Sequence, residues 1–351
     1  VTGAHAPPAA MEGSRFGIWH GKSPQPDVVR LPEAAQAAGC SNGTLGIPRT
    51  LSEKLLAGCL LNMTACNATY EQLQAAAAAL PSMRLLKSTQ PACLMLHSNT
   101  TLEECRQLAI LDPTSLSAVP CLGKDGCGLD VSEVPIAHRD LEERFRSCAV
   151  VAPHAAGLLA GQGTGPSIDA HEAVIRFDGK GENGGMSDSV ESAEAIGVAT
   201  ALRFVSREFA QELANGQVAE ETLAVSHLVV WDATAWPLLP SVHARYPEAS
   251  LYIPSVALTR WQAAVMHQMR ADLVRLGLGP FACNSPDGNG LLLGEAMQGV
   301  LLASLLCPFV DTYGLRPIAA IRVGLDTAKA PLQAAALNLL FLASTADICS
   351  A

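Results

Sequence analysis

The chain has 351 residues, of which 49% are hydrophobic and 16% charged, with a net charge of −10. That composition supports a large buried core and excludes a disordered polyelectrolyte. The acidic balance argues against a nucleic-acid surface, which would need clustered Lys and Arg. Residues 1–35 are rich in Pro and Gly with little periodicity, as expected of a stem or tether. Residues 36–136 form a cysteine-rich region with helical patches, among them Glu71–Leu80, stopped by Pro81. Around Cys121 and Cys127 the pattern predicts a disulfide-stapled loop.

From residue 137 to 351 short apolar runs alternate with helical periodicity. Strands are predicted at Cys148–Val151, Ala173–Phe177, Leu202–Val205, Leu228–Trp231 and Val310–Tyr313. Helices are predicted at Glu208–Asn215, Arg260–Leu276, Gly294–Leu306 and Pro331–Ala343. Such alternation implies an α/β, Rossmann-like, mainly parallel sheet flanked by helices. Ligands in such sheets bind outside the carboxyl ends of the strands. The polar, Gly-rich run between Asp178 and Ala195 reads as a surface loop or lid.

The longest apolar run, Gly290 to Pro308, is interrupted by Glu295 and Gln298. A buried helix explains it better than a bilayer span of about 20 apolar residues. The chain begins at Val1, so the expectation is a signal or anchor removed from an earlier form. Eleven cysteines accompany four N-glycosylation sequons, at Asn42, Asn62, Asn67 and Asn99. Interleaved with Cys40, Cys59, Cys66, Cys93 and Cys105, they point to a glycosylated, disulfide-bearing protein of the secretory pathway, Golgi-lumenal or extracellular. No C-x-x-C pair or Asp-x-Asp pair argues for a metal, and no resident cofactor is expected. Gly161-Gln-Gly163-Thr-Gly165 begins too far after Val151 for a dinucleotide fingerprint and leads to no clear helix. No G-x-S-x-G elbow accompanies Ser167, Asp169 and His171 to suggest a hydrolase.

Three stretches carry a resemblance. The first runs from Cys148-Ala-Val-Val151 through Gly165-Pro-Ser-Ile168-Asp169-Ala-His171 and Val174-Ile-Arg176-Phe-Asp178 to Gly197–Arg207. The second is Pro286-Asp-Gly-Asn-Gly290, an apolar helix, then Cys307-Pro-Phe-Val-Asp311-Thr-Tyr313-Gly314. The third is Lys329-Ala-Pro331-Leu332-Gln333. Together they resemble the large, small and final motifs of the eukaryotic sialyltransferase family, in its plant and green-algal form. The match runs from the neighbourhood of His138 to the C-terminus. The resemblance implies a sialyltransferase-type glycosyltransferase fold, with the Cys-rich region as an N-terminal extension. It also implies a Cys148–Cys307 disulfide and an inverting, metal-independent transfer from a CMP-sugar to a glycan.

The positions that would do that chemistry have changed. Lys329 stands where the family has its His base, and a lysine of pKa about 10.4 is protonated at neutral pH. Ala152-Pro153-His154 replaces the donor loop's Gly-Asn-Ser, so Pro153 lacks both an amide side chain and a backbone donor. Asp178 replaces an Asn, and a carboxylate repels phosphate. Gly288-Asn289 precedes Gly290 where the family has Ser or Thr. His154 is a candidate phosphate contact, Arg176 and Arg203 candidate anchors, and Trp231, Asp232 and Trp236 candidate acceptor-cleft residues. His171 reads as structural. Two functions remain open: a non-catalytic structural or binding relative with an eroded site, which the changes favour, and an active Golgi glycosyltransferase using CMP-activated sialic acid or Kdo. The partners expected are a glycan or glycoprotein, or a protein assembly at a cell surface or extracellular fibre.

Overall fold

The computed structural model describes residues 50–61, 68–88, 90–91, 93–96, 136–137, 139–141, 143–152, 155, 159, 161–178, 194–218, 227–231, 233–278, 295–314 and 347–350. Three helices come first: α1 (Leu51–Leu61), α2 (Tyr70–Ala78) and α3 (Pro81–Ser88). Thr69 starts α2 with a reciprocal cap, its hydroxyl accepting from the Gln72 amide while the Gln72 side chain accepts from the Thr69 amide. Pro81, expected as a stop, ends one helix and opens the next, because the first turn of a helix does not use the amide that proline lacks.

The chain then supplies β1 (Met95–Leu96), β2 (Ser147–Val151), α4 (Gly165–Asp169), β3 (Ala173–Asp178), β4 (Leu202–Val205), α5 (Arg207–Asn215) and β5 (His227–Val229). After a 3₁₀ turn at Ala233–Leu238 come α6 (Leu239–Arg245), β6 (Ser250–Pro254), α7 (Val256–Leu273), α8 (Glu295–Leu306), β7 (Phe309–Tyr313) and β8 (Asp347–Ser350). The strands form one sheet in the order β1-β6-β5-β4-β3-β2-β7-β8. Every pairing is parallel except β1 with β6. The expected mainly parallel sheet flanked by helices is therefore present. One correction concerns α4, a five-residue helix where the sequence suggested no clear one. Pro166 fits its first turn.

The helices lie on both faces. On one, α7 and α8 bury Trp261, Val265, Leu273, Val300 and Leu301 against Ile175, Phe204 and Val229. Leu56, Leu60, Leu73, Leu80 and Met83 of the first three helices join the same core. Polar contacts tie them further: Asp272, almost wholly buried, accepts from the Ser82 amide at 2.8 Å, and Arg275 reaches Glu53 at 2.7 Å. On the other face α5 and α6 cover Val205, Leu228 and Leu251. A two-residue strand such as β1 has little cohesion of its own. Asp140 holds it, accepting from the Leu94 and Met95 amides. Ser255 fastens β1 to α7 by capping Leu258 and donating to the Cys93 carbonyl. Among the described residues no helix is long and apolar enough to cross a membrane.

Candidate functional site at the switch of strand order

Successive crossovers carry the chain from β2 outward through β3, β4, β5 and β6, whereas β7 joins on the opposite side of β2. The carboxyl ends of β2 and β7 are thus the switch point where such sheets bind ligands. Val151 and Tyr313 lie side by side there, and the Ala152 amide donates to the Tyr313 carbonyl at 2.9 Å. Gly314 follows with φ +73°, and a Cβ on it would come within 2.6 Å of the Ala155 Cβ. Only glycine fits that backbone against that neighbour. Ala155, Leu159, Ile168 and Ala195 complete a buried apolar cluster with Val151, Val174 and Tyr313.

The residues of the first resembling stretch converge on one loop, 196–200. Asp169, at the end of α4, accepts from the Val198 amide at 3.0 Å and the Ala199 amide at 2.9 Å. Arg176, on β3 and 5% exposed, grips the same loop by its carbonyls, donating to Ala199 and Ile196 at 2.8 Å each and to the Thr200 hydroxyl at 3.1 Å. Gly197 has φ +70°, and a Cβ there would lie 2.2 Å from an Asp169 carboxylate oxygen. Asp, Arg and Gly are thus the two jaws and the clearance of a clamp. Arg203 is buried beside Arg176 in register on β4, reaching Thr200 at 3.5 Å with its guanidinium 6.0 Å from the Phe209 ring centre.

His171 crosses over β2 to reach β7. Its Nε2 lies 3.2 Å from an Asp311 carboxylate oxygen and 3.3 Å from the Tyr313 hydroxyl. Ala149, paired with Asp311, is the strand residue small enough to pass beneath it. Sequence reasoning did not single out Asp311. The signal was available: alternation places Phe309, Asp311 and Tyr313 on one face of β7, a carboxylate between two aromatics.

Of the residues expected at the site, Cys148 and Cys307 do form a disulfide, with Cα atoms 5.9 Å apart. Cys59 and Cys93 are disulfide-bonded as well. Asp178 ends β3 opposite Val205. Trp236 is a buried core residue whose indole donates to the Val230 carbonyl, while Trp231 packs partly buried against the larger core beyond β5. Pro153, His154, Asp232, Gly288, Asn289, Gly290 and Lys329 lie outside the described residues, as do Asn42, Asn62, Asn67, Asn99, Cys121, Cys127 and the predicted helix Pro331–Ala343. Among the described residues no group of His, Cys, Asp and Glu could hold a metal ion.

No protein-family model matches the chain. It is 42% identical over 66 residues to sialyltransferase-like protein 2 of Oryza sativa subsp. indica, a stretch covering 19% of this chain and 14% of that protein. It is also similar to two crystal structures of a mammalian sialyltransferase, each at 18% identity and a TM-score of 0.34 over 76% of this chain. The similarity covers 82% of the first of these chains and 83% of the second, a complex with Gal-beta-1-3GalNAc-ortho-nitrophenol. The sequence match supports a sialyltransferase-like relationship, and it spans about one seventh of the curated relative.

Proposed function

We propose that this protein is a sialyltransferase-like glycoprotein of the secretory pathway that no longer transfers sugar and serves as a structural or binding relative. The observation that carries this reading is the character of the switch point. Its described residues, Ala152, Ala155, Leu159 and Tyr313, are buried, and three of the four are plain hydrocarbon. A departing phosphate needs donors aimed at its developing charge. Arg176, a cation expected as an anchor, spends donors on the carbonyls of residues 196 and 199.

The sequence adds support at four positions. Lys329 replaces a base, Pro153 removes a donor, Asp178 brings a carboxylate where phosphate would be held, and Gly288-Asn289 lacks the hydroxyl expected before Gly290. The sequons and the disulfide-bonded Cys59, Cys93, Cys148 and Cys307 favour an oxidising, glycosylating compartment. Isothermal titration with CMP, together with an assay of CMP-sugar hydrolysis and transfer to a glycan, tests the proposal. The expected result is no saturable CMP binding up to about 1 mM, a weak-binding limit of about −4 kcal/mol, and no donor turnover. Micromolar CMP binding with turnover would establish the active transferase instead.

A further inference from the structure

We propose that β7 carries a shallow monosaccharide-binding shelf at the exposed amino-terminal end of the face that runs on to Tyr313, made by Phe309, Asp311 and Ser147 and selective for an uncharged pyranose. Phe309 is 52% exposed, and an isolated exposed aromatic would mean little. This one is not isolated. Asp311 is two residues along on the same face, about 7 Å away by strand geometry. Its side chain is 32% exposed, and one carboxylate oxygen is held by His171 at 3.2 Å. The hold fixes the carboxylate's direction and leaves the other oxygen for a ligand.

Strand register supplies the floor. Ser147 pairs with Phe309 and Ala149 with Asp311, so two small side chains lie between the β7 residues and His171-Glu172 at the start of β3. The Ser147 oxygen accepts from the Glu172 amide at 3.4 Å, which leaves its O–H to donate. The arrangement is thus an exposed ring, an oriented carboxylate and a hydroxyl within one sugar's breadth. A pyranose presents an apolar C–H face for stacking and adjacent hydroxyls for a carboxylate.

Charge sets the selectivity. Asp311 and Glu172 both contribute carboxylates, and the chain as a whole carries −10. An anionic sugar such as a sialoside is repelled, whereas a neutral hexoside is not. The shelf lies toward the amino-terminal ends of β2 and β7 and shares only His171 with the carboxyl ends where nucleotide chemistry would sit, so it does not depend on the reading of that chemistry.

Saturation-transfer NMR on the full chain tests this, with methyl β-galactopyranoside, methyl β-glucopyranoside and the methyl glycoside of N-acetylneuraminic acid as probes at about 10 mM. Transfer is expected to at least one neutral glycoside and not to the sialoside. Excess CMP leaves it unchanged. Phe309→Ala, a change at an exposed position, weakens it roughly three- to tenfold, and Phe309→Tyr retains it. Asp311→Asn weakens it while circular dichroism stays native. Absence of transfer to both neutral glycosides, equal transfer in Phe309→Ala, or preference for the sialoside overturns the proposal.

Discussion

Gly161 and Gly197 share a backbone conformation, φ +73° and +70°, yet differ in what surrounds them. An alanine Cβ at Gly161 meets no atom within 4 Å. At Gly197 it would lie 2.2 Å from an Asp169 carboxylate oxygen and 2.8 Å from the Gly165 carbonyl oxygen. The left-handed conformation costs an alanine roughly 1–2 kcal/mol at either position. Gly161→Ala should lose only that.

Gly197→Ala should lose more. The Asp169 carboxylate must move off the Val198 and Ala199 amides, and hydrogen bonds to a charged group are worth about 1.5–3 kcal/mol. Asp169 is 30% exposed, so about 1 kcal/mol for each amide is the fairer figure. Crowding against the Gly165 backbone, which cannot rotate away, adds about 1–3 kcal/mol. The sum is about 4–7 kcal/mol, against about 1–2 kcal/mol for the control. Urea unfolding gives both values, and amide hydrogen exchange at Val198 and Ala199 reads the clamp directly. Agreement of the two variants within about 0.5 kcal/mol, with unchanged exchange at those amides, would refute the clamp.

Replacing Cys148 and Cys307 together by alanine opens a 159-residue span and should cost about 2–5 kcal/mol in the same urea experiment. Arg176→Met strips the carbonyls of Ile196 and Ala199 of their donors. It should destabilise by about 2–4 kcal/mol, measured by thermal unfolding. Burial, with the Arg270 charge second, holds the His267 imidazole below its ordinary value of 6.5. The unfolded chain therefore takes up that proton first, so stability falls as pH drops below about 6.5. His267→Gln should flatten that limb of a stability–pH curve. Burial, then Glu143 and Asp140, push the Tyr252 hydroxyl above its ordinary 10.0. Stability should accordingly decline as pH rises past about 10, and Tyr252→Phe should remove that decline.

Much of the sheet was legible in the chain. Leu202–Val205 is a strand with the bounds its apolar run suggested, and β2, β3 and β7 differ from expectation by a residue at one end. Buried parallel strands are continuous apolar runs, which is why they can be read. The predicted run Leu228–Trp231 shifts to His227–Val229, because pairing with β4 and β6 ends before the tryptophan. The edge strands were not foreseen. Met95–Leu96 is too short to signal itself and exists because Asp140 and β6 hold it. Asp347–Ser350 carries a carboxylate and a hydroxyl, and it is a strand because β7 offers it a partner. Ser250–Pro254 also passed unnoticed, being five residues flanked by turn formers.

The candidate site divides in the same way. Cys148 and Cys307 came from a resemblance and meet as implied. The roles of Asp169, Arg176 and Gly197 did not come from local pattern. Each depends on a partner some 20–30 residues away, brought close by the β3–β4 crossover. His171 reaches Asp311 across 140 residues of sequence, over an alanine whose smallness matters only once β2 lies between β3 and β7. The sequence by itself determined the apolar runs, the helix caps and the fold they imply, because those are set by near neighbours along the chain. Only the tertiary structure decided which polar residues brace a loop and which face solvent, because that depends on the order in which the strands pair.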